Sequence, residues 1–554
     1  MLKAVELANF KAFGQRTRIE LAPITLIFGQ NSAGKSSILQ SLNLLKQTRE
    51  SRESGAPLLP RAEGGITDLG SFQELLFDHD LSRILSIGLH VDTRGDRRFP
   101  SPWMRQWLGM EPPDSVGLTL NFQRPTPEAE VELAGFDIAW PDLDEPLASF
   151  SPRSLSREEQ RQVHRYYWQP SRGRQRVQQR KPRGAECKAL SADRRLWTPI
   201  YPEWVKRRGE ITRALQSMEK DMASTGGPFQ VAAELEDAAE AQGESQRWQG
   251  RIQAAMAFYA EPFSFDKFVE RITLGSRSSV VALDGFLPTP LSPLGQRALP
   301  EFVALEYRRI RERKSIPILN ISTAAPLVGR LVEDALEVLF PMGPFRRPPE
   351  RWYIFTGTSP EDVGYRGDLL PDLLFRRSDL VKAANEWLER LGIGYALRVR
   401  PIGQSVSDLF EVRLVDRMRS SGIDVALSDV GFGISQILPF LVQSLASSGQ
   451  IISIEQPEVH IHPKLQADLG DLLAATIGKP YGHQFLIETH SEHLILRLQR
   501  LVREGQLKPD QISVIFVSRG AEGSHARRLR LDDRGRFLDE WPGGFFGERL
   551  RELR

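Results

Sequence analysis

Residues 24–46 constrain this chain more than any other stretch. Ile24 to Phe28 is an apolar run that reads as a buried strand, and apolar residues at 38, 39, 42 and 45 read as one face of a helix. Between them lies Gly29-Gln30-Asn31-Ser32-Ala33-Gly34-Lys35-Ser36, followed by Ser37. The segment fits the P-loop pattern at every position. Its glycines let backbone N–H groups turn inward around phosphates, and a helix N-terminus adds its partial positive charge. Lys35 is expected to project into solvent-facing phosphate space and reach the β- and γ-phosphates, with the Ser36 hydroxyl on Mg²⁺. The expected ligands are a nucleoside triphosphate, ATP in the first instance, and Mg²⁺.

Composition narrows the setting. A chain of 554 residues has room for two to four domains. Its 40% apolar and 26% charged content is that of a globular protein. The single cysteine, Cys187, excludes an internal disulfide framework and any multi-cysteine metal site. That usage suits a reducing cytoplasm, the expected location. The first residues lack the apolar core of a signal peptide. No run approaches 18 apolar residues, so no membrane span is expected. The net charge of +2 selects no partner.

In order, the chain divides into an N-terminal nucleotide-binding lobe over 1–150, a basic and helical insertion over 151–300, and a C-terminal lobe over 301–554. Residues 2–8 and 17–28 read as strands. Asn9-Phe10-Lys11-Ala12-Phe13 between them offers an aromatic or cationic nucleotide contact, or simply core phenylalanines. Gln73 is either a glutamine that senses the γ-phosphate or its metal, or a solvated helix residue. Residues 84–91, 116–122, 129–133 and 136–140 alternate in polarity and predict an antiparallel section. From Arg153 to Arg183 there are ten Lys/Arg against two acids, with His164, Tyr166, Tyr167 and Trp168 interleaved. This pattern suits single-stranded nucleic acid, a protein partner or a solvated loop. Residues 200–275 read as helices without a sustained heptad. Residues 300–340 read as helix broken around Pro317 and Pro326, and 395–401 with 409–415 as a hairpin. There is no internal repeat.

A P-loop needs a carboxylate for its metal and a group that orients water. Ile451-Ile-Ser-Ile-Glu455-Gln456-Pro-Glu458-Val-His460-Ile-His462 supplies an apolar strand ending in an acid, the Walker B arrangement, with Glu455 on the metal. Gly431-Phe-Gly433-Ile-Ser435-Gln436 precedes an apolar helix and exposes backbone N–H groups. In one chain that second anion site duplicates the P-loop. In a head-to-tail dimer it closes over the partner's γ-phosphate. Downstream, a strand ends in Glu488-Thr-His490-Ser491, which places His490 near a terminal phosphate.

The order of these motifs resembles the ABC-class P-loop ATPases, and within them the RecF/OLD-like, SMC-related branch. The Gly343-Pro-Phe-Arg346 and Trp541-Pro-Gly-Gly-Phe-Phe546 boxes resemble a subgroup found in anti-phage defence, including the Septu-type ATPases. The resemblance covers about 1–95 and 340–546. It implies an α/β ATPase head with a mixed sheet, an antiparallel β-section and an inserted helical region. It also implies that Gly431 to Gln436 are the signature motif, Glu455 the Walker B acid and His490 the switch histidine. Five of the nine histidines fall between 460 and 493. A zinc site is nevertheless a minor reading, because His460 and His462 occupy the family's box after Walker B.

One departure matters. In the family the residue after the Walker B acid is the glutamate that polarises water, and here it is Gln456. An amide orients water but does not take its proton. Either Glu458 or Glu488 substitutes, or hydrolysis is slow. The leading expectation is a cytoplasmic ATPase that forms homo-oligomers around ATP and controls a nucleic-acid-directed response. About 60 residues follow His490, too few for an appended nuclease, so the effector nuclease is expected to be separate. The rival is a nucleotide-gated scaffold with negligible turnover that holds a partner through 150–300.

Overall fold

The computed structural model describes residues 1–51, 56–94, 113–141, 143–157, 160, 183–198, 201–202, 205, 213, 216, 264–276, 280–289, 321–403, 408–418 and 423–542. The chain is α/β and forms two compact units. One comprises 1–91, 122–132 and 333–554, and the other 92–121 and 133–332.

The chain opens with strands β1 (Leu2–Ala8), β2 (Thr17–Glu20) and β3 (Ile24–Gly29), and β4 follows at Leu85–Asp92. β1 pairs antiparallel with both β2 and β4. Glu6 on β1 is the polar centre of this section. It accepts bonds from Arg16 (Nη2, 2.5 Å) and Arg18 (Nη1, 3.1 Å) and lies 2.8 Å from His90 Nε2. Burial pushes its carboxyl up, but His90 and Arg16 outweigh burial and hold it at about 2.

The second unit is an antiparallel meander. It is built from β5 (Ser115–Gln123), β6 (Glu132–Ala139), β7 (Ala148–Ser154), β8 (Arg183–Leu190), β9 (Val280–Asp284) and β10 (Leu287–Thr289). Successive strands from β6 to β10 pair antiparallel. The two short strands expected at 129–133 and 136–140 are one strand, β6. Gly135 does not break it, because an added Cβ there would stand 2.5 Å from the Phe150 carbonyl oxygen of β7. A closely apposed neighbour, rather than a turn, calls for the glycine. Of the basic segment 153–183, Arg153 and Arg183 sit on the paired strands β7 and β8. His164, Tyr166, Tyr167 and Trp168 lie outside the described residues, as do most of 200–263 and Pro317. The helix Ile321–Glu337 runs through Pro326 without the predicted break. A proline inside a helix removes one internal hydrogen bond, and the helix continues past it.

The first unit continues with β11 (Leu339–Met342), β12 (Tyr353–Ile354), β13 (Tyr395–Pro401), β14 (Leu409–Asp416), β15 (Asp424–Ala426), β16 (Ile451–Glu455), β17 (Gln484–Glu488), β18 (Ile512–Gly520) and β19 (Gly523–Leu529). The expected hairpin is β13–β14, in register from Tyr395↔Asp416 to Pro401↔Phe410. The central sheet runs β11-β16-β17-β3-β18-β19, parallel except for β19. Helices cover parallel strands on both faces, so such strands are apolar throughout. β3 is buried at all six positions and β17 at all five. Helices Lys35–Glu50, Phe432–Ala446, Pro463–Thr476 and Glu492–Arg503 belong to this unit. Among the described residues no helix is long and apolar enough to cross a membrane.

Because the Glu6 carboxyl is held below its ordinary 4.5, its contribution to stability is present above about pH 4.5 and lost as the pH falls toward 2. Glu6→Gln is expected to cost about 1–2 kcal/mol at pH 7, after allowing for solvent around the two arginines, and clearly less at pH 2.5. Urea unfolding at both values checks this.

Candidate functional site

The site forms where four parallel strands end side by side. Register places Glu455 of β16 opposite Glu488 of β17, and Glu488 opposite Ile27 of β3, two residues before Gly29. Ligands of open parallel sheets bind at this carboxyl edge. The P-loop strand and the Walker B strand are not neighbours, since β17 separates them.

The loop from Gly29 to Ser36 is closed by backbone demands. Gly29 and Gly34 have φ of 149° and 89°. A Cβ at Gly29 would run into the Val517 carbonyl oxygen, and one at Gly34 would stand 2.7 Å from Ala12 Cβ. Gln30, Asn31 and Ser32 are exposed, whereas Ala33 and Ser37 are buried. Ser524 Oγ donates to the Ala33 carbonyl at 2.7 Å and fixes the loop from β19. Gly34 caps the helix Lys35–Glu50 without a side-chain bond, so the first-turn N–H groups keep their capacity for an anion.

Lys35 does not project into solvent. It is 5% exposed; its Nζ donates to the Gln30 carbonyl at 2.9 Å and lies 4.0 Å from Glu488 Oε1. An ammonium with three donors takes the nearest oxygens, and here these are the loop and the acid of β17. Burial lowers its pKa, against the pull of Glu488 and Glu458.

The three acids are placed differently. Glu488 is 3% exposed, and burial raises its pKa although the Ser36 hydroxyl and Lys35 oppose it. Its Oε2 has no hydrogen-bond partner. Glu455 is pushed up to about 7, first by burial and then by Glu488, with Arg346 and Lys11 pulling the other way. Glu458 is committed to the backbone. It accepts from Thr489 Oγ1 at 2.8 Å and from the His490 N–H at 2.7 Å. Gln456 has φ of 46°, and its N–H donates to the Glu488 carbonyl at 2.8 Å. A non-glycine residue in the left-handed region is held there by its surroundings, and this bond is the visible tie. His490 follows β17; burial and the nearby Lys35 both lower its pKa.

Gly431, Gly433 and Ser435 lie at the start of the helix Phe432–Ala446. With His460, His462, Val430, Ile434 and Leu465, the two glycines line an open cleft of about 420 Å³. A Cβ at Gly433 would stand 3.0 Å from the His460 carbonyl oxygen, whereas one at Gly431 would meet open space. Ser435 is 7% exposed.

Between β1 and β2, Phe10 and Phe13 are fully buried core residues. Lys11 faces the site, its pKa lowered by burial and raised by Glu74 and Glu455. Gln73 is exposed, and its amide donates to the His79 carbonyl at 3.2 Å, within its own turn. The sequence reading assigned no role to Arg346. This residue is 5% exposed and carries a pKa pushed down to about 10 by burial, against Glu458 and Glu455. The only signal for it was its place in the Gly343-Pro-Phe-Arg box.

Hard oxygen ligands fit Mg²⁺: the Ser36 hydroxyl lies against Glu488, whose second oxygen is unpartnered, and Glu455 ends the neighbouring strand. Among the described residues no three His, Cys, Asp or Glu converge as a cage. Mg²⁺ needs none, since it keeps waters and substrate phosphates as ligands.

Residues 1–85 and 382–495 match a family described as an AAA ATPase domain. Residues 507–554 match a second family, described as a protein of unknown function. No curated protein matches the chain. Solved structures similar to it include the SMC head domain from Thermotoga maritima, at 9% identity and a TM-score of 0.35, covering 96% of this chain and 99% of that one. Another is the Smc head domain with an extended coiled coil bound to the C-terminal domain of ScpA, from Pyrococcus furiosus. It has 10% identity and a TM-score of 0.37, covering 100% and 98%. A third is the Smc head domain with a coiled coil and joint from Pyrococcus yayanosii, at 12% identity and 0.35, covering 95% and 97%.

A buried acid whose folded pKa is raised stabilises the protein fully below its ordinary value, and that contribution is lost as pH rises through the folded value. For Glu455 the window runs from about 4.5 to about 7. In chelator, Glu455→Gln is therefore expected to raise the thermal midpoint at pH 8, by the equivalent of about 2 kcal/mol, and to leave it unchanged at pH 4. Calorimetric scans at the two pH values check the sign.

Proposed function

We propose that the chain is an ATP-binding and hydrolysing enzyme that self-associates head to tail around its nucleotide. The observation that carries this reading is the shared carboxyl edge. It brings the P-loop, a Ser36 hydroxyl lying against the Glu488 carboxylate, and the Walker B acid Glu455 to the ends of adjacent parallel strands. The match of residues 1–85 and 382–495 to the AAA ATPase domain supports it.

In this reading the loop N–H groups and Lys35 hold the phosphates, and Ser36 and Glu455 hold Mg²⁺. The metal, when bound, neutralises charge on the phosphate oxygens. Gln456 orients the attacking water through its amide. Glu488 takes the proton, because one of its oxygens is unpartnered while both Glu458 oxygens are bonded. His490 acts as a neutral imidazole near the terminal phosphate. The signature turn at Gly431, Gly433 and Ser435 serves a nucleotide held by another subunit. We further propose the three-part division at about 150 and 300, with the basic segment 153–183 as the contact for nucleic acid. A separate nuclease then acts as effector in a defence response, as the motif resemblance implies. Gln456 favours a second reading, a nucleotide-gated scaffold with negligible turnover, and turnover assays with and without DNA or RNA separate the two.

Lys35→Ala is expected to abolish ATP binding in calorimetry. Tight binding by that variant overturns the assignment. Glu488→Gln is expected to lower steady-state turnover by about 10²-fold or more, the scale of a general base. Glu458→Gln should act mainly on stability, and Gln456→Glu should leave turnover unchanged or lower. A large gain from Gln456→Glu with a silent Glu488→Gln refutes this division of roles.

Assembly has its own probe. A Cβ at Gly431 meets nothing within 4 Å among the described residues and opens onto the cleft, so Gly431→Trp is expected to fold. It should bind ATP at its own P-loop and fail to self-associate with ATP in sedimentation. Unchanged ATP-dependent assembly rules out the head-to-tail arrangement.

A further inference from the structure

β11 is the edge strand of the parallel sheet, and its last residue, Met342, pairs with Ile454, the residue before Glu455. The chain then turns at the same carboxyl edge that carries the P-loop. The turn is tied down by backbone bonds: Gly343 N–H donates to the Tyr365 carbonyl at 3.0 Å, and Arg347 N–H to the Arg366 carbonyl at 2.8 Å. A Cβ at Gly343 would stand 2.8 Å from the Tyr365 ring, so the approach requires glycine. Within this rigid turn Phe345 points outward, 81% exposed, and Arg346 points inward, 5% exposed.

Arg346 is buried without enough acceptors. Its Nη1 donates to the Pro344 carbonyl at 3.0 Å, but Nε and Nη2 have no partner among the described residues. Its nearby anions are Glu458 and Glu455. Both oxygens of Glu458 are already taken by Thr489 and His490. A guanidinium keeps its charge and all its donors under any physiological condition, so burying it with two nitrogens unpaired disfavours the fold. The unpaired Nε and Nη2 form one edge of the planar fork, the geometry that grips two oxygens of a phosphate. Lys35 from the P-loop and Arg346 from the turn after β11 both act on Glu458, so the two cations flank the same acid cluster and an anion beside it meets both.

We propose that Arg346 binds the terminal phosphate of the nucleotide, gripping two of its oxygens through Nε and Nη2, and so distinguishes a triphosphate from a diphosphate. The proposal rests on the P-loop reading of the site. It makes Arg346 a phosphate-binding residue contributed from the turn after β11, a segment outside the P-loop, Walker B and signature motifs.

The test is calorimetric binding of ADP and of a non-hydrolysable ATP analogue, each with Mg²⁺, to the full chain and to Arg346→Gln and Arg346→Lys. Wild type is expected to prefer the triphosphate. Arg346→Gln should weaken the triphosphate about 10- to 100-fold, the scale of one bidentate contact, and change ADP by less than about 2-fold. Arg346→Lys should recover little, because a point charge lacks the fork. The thermal midpoint without nucleotide should hold or rise in Arg346→Gln. Equal losses for both nucleotides, or a variant that unfolds, make Arg346 structural and overturn the proposal. So does a wild type that binds ADP as tightly as the triphosphate, whatever the variants do. A wild type that binds neither nucleotide brings down the P-loop reading itself, and the proposal with it.

Discussion

Three carboxylates meet at the ends of β16 and β17, largely removed from water, and much of the first unit is arranged to tolerate them. A buried carboxylate is costly unless it is paired, bonded or protonated, and the three acids take different escapes. Glu458 is bonded to the turn after β17 through Thr489 and His490. Glu488 has the Ser36 hydroxyl and Lys35 beside it. Glu455 has neither and is pushed up to about 7. Three cations face the group from three directions: Lys35 from the P-loop, Lys11 from the β1–β2 connection and Arg346 from the turn after β11. Segments far apart in sequence thus place compensating charge at one edge.

The parallel sheet was legible because a strand covered on both faces is predominantly apolar, and the runs at 24–28, 451–454 and 485–487, with Thr25 and Ser453 as their polar members, satisfy that. The β13–β14 hairpin was likewise expected, over 395–401 and 409–415. The failures have local causes. Gly135 looked like punctuation and instead accommodates a neighbouring backbone. Pro326 looked like a break, yet the helix Ile321–Glu337 continues through it. Strand order carries no local signal, so nothing in the sequence announced that β17 separates the P-loop strand from the Walker B strand.

At the site, residue types and spacings pointed to phosphate chemistry before any coordinates, because a glycine-rich turn between strand and helix has few other uses. Bonding partners were not legible. Glu458 and Glu488 were equivalent in sequence as spare acids, and the structure separates them. One is saturated by a hydroxyl and a backbone N–H, whereas the other keeps an unpartnered oxygen. Lys35 was expected in solvent and lies 5% exposed, its ammonium held by the Gln30 carbonyl and near Glu488. Arg346 was invisible for a related reason. An arginine in a basic, proline-rich stretch reads as solvated, and only the tertiary contact of Gly343 with Tyr365 turns it inward.

The same charge requirement bears on the amide at position 456. The Gln456 backbone is tied to the Glu488 carbonyl at the end of β17, adjoining the acidic cluster. A glutamate there would be a fourth carboxylate beside a group whose member Glu455 is already pushed up to about 7 by burial and Glu488. Repulsion between carboxylates raises the pKa of each, so the added acid would push Glu455 and Glu488 further toward their neutral forms. A protonated acid is a poor metal ligand and no base. An amide avoids this cost: it offers one acceptor and two donors at the same position and leaves the charge unchanged. With three acids present, neutrality at 456 preserves the ionisation of the carboxylates on either side of it.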